Sequence, residues 1–267
     1  MCYCQTESEE VQPVGWVSTP EYTHPTKILD LEQVIFFMAS CMSRDHQILL
    51  GFALIAYVIG SVPFGLIVGL SNGVDPRTSG SGNIGATNVG RLLGVKFFAL
   101  VFTLDLLKGL LPMLATAWFL HHQATVVDVW MYAFWLLIGF CCILGHIFSL
   151  FLKFKGGKGV ATSVGVILGV VPYFSLPALI LAAIWIVSFK IWRYVSLSSI
   201  LIAAAFPLVY IAVALLKRWP IFHEQLPLLI FSFVVGILII LRHKSNIQRL
   251  INGTENKIGK KSKPTAA

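Results

Sequence analysis

The stretch VATSVGVILGVVPYFSLPALILAAIWIVSFKI, residues 160–191, decides how this chain is folded. As one helix at 1.5 Å per residue it would be about 48 Å long. That is too long for one crossing of a ~30 Å hydrocarbon core and short for two, with Pro172 and Pro177 near its middle. It reads either as two short crossings or as a re-entrant hairpin. Basic residues flank both ends, Lys155 and Lys158 before it and Lys190 and Arg193 at its far end. Cytoplasmic loops collect Lys and Arg, so the chain returns here to the side it left.

Working outward, five further apolar runs have spanning length: Ile48–Leu70, Lys96–Leu120, Val129–Leu152, Leu197–Leu216 and Leu226–Leu241. The chain is 57% hydrophobic and 12% charged, with a mean hydropathy of +0.81, far from a soluble domain. Fifteen of the 20 basic residues fall on one side of these runs. They comprise Arg77, Arg91 and Lys96; Lys153, Lys155 and Lys158; Lys190 and Arg193; and seven after Leu241. The fold class is an all-α integral membrane protein of about seven transmembrane helices, N-terminus outside and C-terminus cytoplasmic.

Residues 1–46 depart from the pattern. They contain seven of the 12 acidic residues, and their one apolar segment, Ile28–Met42, is interrupted by Asp30 and Glu32 and is too short to cross. We read 1–46 as an extra tail, with translation expected to start at Met42, 47–258 as the membrane-embedded domain, and 259–267 as a basic C-terminal tail. Without the first 46 residues the inner face is strongly cationic, suited to anionic headgroups or phosphorylated substrates. Cys141 and Cys142 lie together inside a run and read as small packing residues; the five cysteines suggest no disulfide or metal framework.

Two glycine-rich loops lie against the runs: Ser79-Gly80-Ser81-Gly82-Asn83-Ile84-Gly85-Ala86-Thr87-Asn88 and Lys155-Gly156-Gly157-Lys158-Gly159-Val160-Ala161-Thr162. Glycines let successive backbone N–H groups converge on an anion, and Ser, Thr, Asn and Lys add donors and charge. Neither loop holds a carboxylate, so both read as phosphate sites rather than plain linkers. Gly80-x-Gly82-x-x-Gly85 matches the dinucleotide fingerprint, but it follows a membrane run instead of a strand. No Walker string occurs.

Asp105 and Lys108 are charges inside a run, spaced to share a helical face. A mutual ion pair and a substrate-facing role for Lys108 both remain open. At the inner end of the last run, Arg242-His243-Lys244-Ser245-Asn246-Ile247-Gln248-Arg249-Leu250 puts His243, Asn246 and Arg249 at helical spacing on one side. A membrane anchor explains the arginines well and Asn246 badly. His146 is a weaker candidate, equally readable as a packing histidine.

Taken with Asp75-x-Arg77, Arg91, Asp105-x-x-Lys108-Gly109 and Gly253-Thr254-Glu255, these clusters resemble the bacterial acyl-phosphate-dependent glycerol-3-phosphate acyltransferase family, PlsY, over roughly residues 48–258. Only the N-terminal tail departs from it. The resemblance implies a seven-span enzyme of the bacterial plasma (inner) membrane with its site on the cytoplasmic face. It would move a fatty acyl group from acyl phosphate to the 1-hydroxyl of sn-glycerol 3-phosphate, giving lysophosphatidic acid and phosphate. Carried over by motif, Ser81, Lys158, His243 and Asn246 would be catalytic. Asn83, Thr87, Asn88, Arg91 and Lys108, with Gly80, Gly82, Gly85, Gly156, Gly157 and Arg249, would bind substrate. The partners implied are the two substrates, membrane lipids and a soluble enzyme supplying acyl phosphate; no metal, organic cofactor or nucleic acid is expected.

The chemistry agrees. An acyl phosphate has a good leaving group, so the enzyme chiefly positions reactants and neutralises charge, and two phosphorylated substrates account for two anion loops. Lys158 and the N–H groups of its loop would stabilise the leaving phosphate, Ser81 and Arg91 would hold the acceptor, and His243 and Asn246 would orient or deprotonate the hydroxyl. Thioester-dependent acyltransferases typically carry His-x-x-x-x-Asp, which is absent here. A transporter would also be basic and glycine-rich, yet no inverted repeat is visible and the informative motifs share one face.

Overall fold

The computed structural model describes residues 44–123 and 129–258; the expected start at Met42 and the tail 259–267 lie outside them. Within this range the secondary structure is helical, as lipid demands, because a backbone in hydrocarbon must satisfy its own hydrogen bonds. Helix α1 (Arg44–Ser61) and α2 (Phe64–Ser71) form one apolar unit, interrupted at Val62-Pro63. A loop leads to α3 (Ala86–Leu93), and then to α4 (Val95–Gln123) and α5 (Val129–Ile147). After a second loop come α6 (Val160–Gly169), α7 (Ser175–Trp192), α8 (Val195–Leu216), α9 (Leu226–Arg242) and α10 (Lys244–Ile251).

Among the described residues five helical units are long and apolar enough to cross a bilayer, and a sixth is α9 with α10, bent by 58°. The deciding stretch resolves into unequal parts. Helix α6 has 10 residues and α7 has 18, about 15 Å and 27 Å of helix. On length, only α7 matches a full hydrocarbon core. The turn between them hangs on Phe174, wholly buried, with its ring 5.1 Å from Phe206 and 5.3 Å from Tyr210 of α8. Non-helical backbone at membrane depth is tolerated where protein buries it.

Close helix crossings fix the frame of the site. A β-carbon on Gly60 of α1 would lie 2.1 Å from the Cys142 carbonyl oxygen, and one on Gly145 of α5 would lie 2.2 Å from that of Tyr57. Both helices need a bare backbone at this crossing. On α4, the Cys142 thiol reaches the Lys108 carbonyl at 3.0 Å. Helix α4 also packs along α6, where a β-carbon on Gly165 would meet the Leu106 carbonyl at 2.0 Å. The two helices that carry the second loop, α5 and α6, are thus held against α1 and α4.

Candidate active site

The first glycine loop is built around one side chain. Asn88, 2% exposed, accepts the Ser81 N–H at 2.8 Å through Oδ1, while Nδ2 donates to the carbonyls of Asn83 (2.8 Å), Pro76 (3.0 Å) and Ser79 (3.1 Å). Gly80 sits at φ +64°, and a β-carbon there would lie 2.3 Å from Asn88 Oδ1, so the loop can close on Asn88 only with glycine at this point. Asn83 accepts the Gly85 N–H at 2.8 Å. The result is a rigid entry to α3, where the Asn88 N–H turns back onto the Gly85 carbonyl at 3.0 Å and the N–H groups of Ala86 and Thr87 are left at the positive end of the dipole.

The second loop differs from the expected cradle of glycine amides. Gly156 and Gly157 spend their N–H groups on the end of α5, on the Ile147 carbonyl (3.0 Å) and the His146 carbonyl (3.1 Å). A β-carbon on Gly157 would stand 2.3 Å from His146 Nε2, and His146 is itself 5% exposed. These two glycines clamp the loop rather than bind an anion. The clamp delivers Lys158 and Gly159 to the start of α6, a second helix N-terminus. Replacing Gly157 by Ala is expected to cost roughly 1–3 kcal/mol by overpacking and to lower activity by displacing Lys158. A thermal melt and an activity assay on the same preparation check this.

The bend between α9 and α10 brings the third cluster onto the second loop. Lys158 Nζ donates to Asn246 Oδ1, Asn246 Nδ2 donates to Glu255 Oε1 at 2.8 Å, and Arg249 Nε donates to Glu255 Oε2 at 2.7 Å. Ser196 of α8 adds a third bond to Glu255 at 2.8 Å. The flip state of Asn246 follows: its oxygen faces the ammonium and its amide faces the carboxylate. Burial tends to raise the Glu255 carboxyl, but the bonds from Asn246, Ser196 and Arg249 outweigh it and hold the group below the usual carboxylate range. Burial lowers Lys158 to about 8, helped by Arg249, Arg91 and Arg242 and opposed by Glu255.

At the corner after α9, His243 Nδ1 lies 2.8 Å from the Ile239 carbonyl. A carbonyl only accepts, so Nδ1 carries the proton and Nε2 keeps its lone pair. Burial lowers His243 to about 4, so the ring is neutral at pH 7.

These groups surround one cavity of about 510 Å³. Its wall includes Ser81, Asn83, Gly85, Thr87, Asn88, Arg91, Lys158, His243 and Asn246, nine of the residues singled out from sequence. Gly80, Gly82, Gly156, Gly157 and Arg249 are not part of that wall, although Gly80 packs on Asn88, Gly157 on His146 and Arg249 bonds Glu255, which are. Of the two roles open for Lys108, substrate contact and an ion pair, its surroundings are those of the ion pair. Its ammonium is 2.7 Å from Asp105, donates to the Val62 carbonyl at 2.8 Å and lies 5.5 Å from the Phe64 ring centre. Asp105 and His146, not Lys108, reach the cavity. Sequence reasoning also missed Ser196 and Glu255 as site residues. Glu255 had a signal, being one of five acidic residues after position 46, next to Arg249 in a strongly basic segment.

Away from the charged end, the cavity continues between apolar residues of α4 (Phe98, Phe102), α6 (Ile167) and α7 (Ala182, Trp185, Ile186). Two helix N-termini, Arg91, Lys158 and a neutral His243, with the carboxylates of Asp105 and Glu255, thus line the polar part of a cavity whose other walls are apolar. That arrangement can bind amphipathic phosphorylated molecules.

A family model described as glycerol-3-phosphate acyltransferase matches residues 50–253. The chain is 45% identical over 203 residues to the glycerol-3-phosphate acyltransferase of Trichlorobacter lovleyi, covering 76% of this chain and 93% of that relative. It is 40% identical to that of Aquifex aeolicus, covering 76% and 95%. Among solved structures it is similar to PlsY, an integral membrane glycerol 3-phosphate acyltransferase in its glycerol 3-phosphate form. There the TM-score is 0.66 at 39% identity, over 79% of this chain and 96% of the other. A lysophosphatidic acid form of the same enzyme gives a TM-score of 0.64.

Proposed function

The chain belongs to the glycerol-3-phosphate acyltransferase family, and on that premise we propose that it transfers a fatty acyl group from acyl phosphate to the 1-hydroxyl of sn-glycerol 3-phosphate. The products are lysophosphatidic acid and inorganic phosphate. The observation that carries this reading is the convergence of the α3 and α6 N-termini, Arg91 and Lys158 on the charged end of a cavity whose other end is apolar. One phosphate belongs to the acceptor and the other to the donor, whose acyl chain takes the apolar end.

In the proposed mechanism the α3 amides, Ser81 and Arg91 hold the acceptor phosphate. The acceptor hydroxyl oxygen attacks the acyl carbon, and the bond from that carbon to the phosphate oxygen breaks. Lys158, with the first-turn amides of α6, stabilises charge on the departing phosphate. His243 Nε2 accepts a hydrogen bond from the hydroxyl and aims it. A histidine lowered to about 4 does not retain a proton at pH 7, so the hydroxyl proton ends on the released phosphate. Asn246 holds the Lys158 ammonium, and Glu255 holds Asn246. Purified protein given palmitoyl phosphate and glycerol 3-phosphate is expected to release one phosphate for each ester formed. Phosphate release without ester would overturn the transfer reading.

The pH dependence follows from Lys158. Below its value of about 8 it keeps its proton and the stabilising charge; above it that charge is lost. The kcat/KM for acyl phosphate is therefore expected to fall as pH rises through about 8, approaching tenfold per unit, while His243 contributes no limb near neutrality. A profile flat to pH 10 would contradict the role of Lys158.

For the setting, the charge pattern supports seven membrane segments counting α6, with the N-terminus outside and this cavity on the cytoplasmic face of a bacterial plasma membrane. A soluble enzyme would supply acyl phosphate there.

A further inference from the structure

Helix α10 has two working faces. Asn246 turns toward the catalytic cavity and Arg249 toward Glu255 in its wall, and the reverse face closes a separate groove of about 320 Å³ against the end of α9. Its walls are Ile240 and Leu241 of α9 with Lys244, Ile247, Gln248 and Ile251 of α10. The volume is at the lower end for small-molecule sites. The apolar residues run along the groove, and the cationic and amide groups, Lys244 and Gln248, sit together on α10. Leu241 and Ile251 are 65% and 80% exposed, exposure that suits lipid rather than water at the end of a membrane unit. Lys244 is exposed and has no acidic neighbour within seven positions along the chain, whereas Arg249 is committed to Glu255.

We propose that this groove binds one anionic phospholipid, an acyl segment lying along Ile240, Leu241, Ile247 and Ile251 and the headgroup phosphate on Lys244 and Gln248. Charge complementarity selects an anionic headgroup over a zwitterionic one: Lys244 offers a point charge with three donors, and none of the described residues lining the groove is acidic. Depth selects a lipid over a soluble partner, since the groove straddles the corner where the apolar α9 gives way to the polar α10, the level of the headgroups. The occupant would steady α10 and, through its other face, the position of Asn246.

The test uses the full chain in mixed micelles, comparing phosphatidylglycerol, phosphatidylcholine and inorganic phosphate. The expected result is a thermal midpoint several degrees higher with phosphatidylglycerol than with phosphatidylcholine, no shift with inorganic phosphate, and loss of most of the difference in Lys244→Gln and in Gln248→Glu. Both changes are on an exposed helix face, and unaltered midpoints in phosphatidylcholine would show that the variants fold. Equal shifts with the two lipids, the full shift with inorganic phosphate, or a phosphatidylglycerol effect retained in both variants would each overturn the proposal.

Discussion

Lys158→Ala is expected to lower kcat/KM for acyl transfer about a thousandfold, the scale of losing one well-placed donor to developing charge, in a protein that still folds. The side chain is not part of the helix packing. It stands at the start of α6 with its ammonium on Asn246, and the amide of Asn246 is fixed by Glu255. In the proposed mechanism truncation removes a cation from the place where the leaving phosphate would gather charge, and it leaves the Asn246–Glu255–Arg249 bonds intact. The variant should also lose the alkaline limb near pH 8, because the group that titrates there is gone. Lys158→Arg keeps the charge above pH 8 but carries a wider head. It is expected to recover part of the rate with the limb moved to higher pH. Steady-state kinetics on all three proteins from pH 6 to 10 check both statements.

Asn88→Ala is expected to destroy the first anion site and to cost roughly 2–4 kcal/mol of stability, from four hydrogen bonds at about 1 kcal/mol each. Three carbonyls and one N–H converge on this amide, and no other side chain in the first loop makes comparable bonds. With it gone, Gly80 and Gly82, both in the left-handed region, have no reason to stay there. The loop would lose its approach to α3. Asn88→Asp is the sharper variant, since it keeps the bond from the Ser81 N–H, loses the three donated ones and adds negative charge beside Arg91. We expect the KM for glycerol 3-phosphate to rise more in Asn88→Asp than the melting point alone accounts for. Equal KM values in both variants and the native protein would remove Asn88 from the site.

Much of this was legible in the sequence, for physical reasons that can be traced. Spanning runs are visible because lipid tolerates only apolar helix, and basic loops because charge marks one side. The three polar clusters stand out because charged and amide side chains are scarce in such a chain. What was hidden is the division of labour inside them. Gly156 and Gly157 look like an anion cradle, yet their amides are taken by carbonyls of α5, a partner distant in sequence only by a turn but invisible without its direction. Asn88 reads as a ligand and is first the organiser of its loop. Lys108 was open between two roles, and Asp105 with the Val62 carbonyl claims it. The break inside 160–191 was expected, as two short crossings or a hairpin, but where α6 stops could not be placed, because a continuous apolar run has no periodicity to show where a helix ends, and the turn is held by Phe174 packing on residues of α8.

The most direct test of the central claim is the donor. The purified protein, without added metal, is given labelled glycerol 3-phosphate and, in parallel, palmitoyl phosphate, palmitoyl-CoA or palmitoyl carrier protein. The account predicts labelled lysophosphatidic acid from palmitoyl phosphate alone, with that product lost in Lys158→Ala. Product from a thioester but none from the acyl phosphate would contradict it.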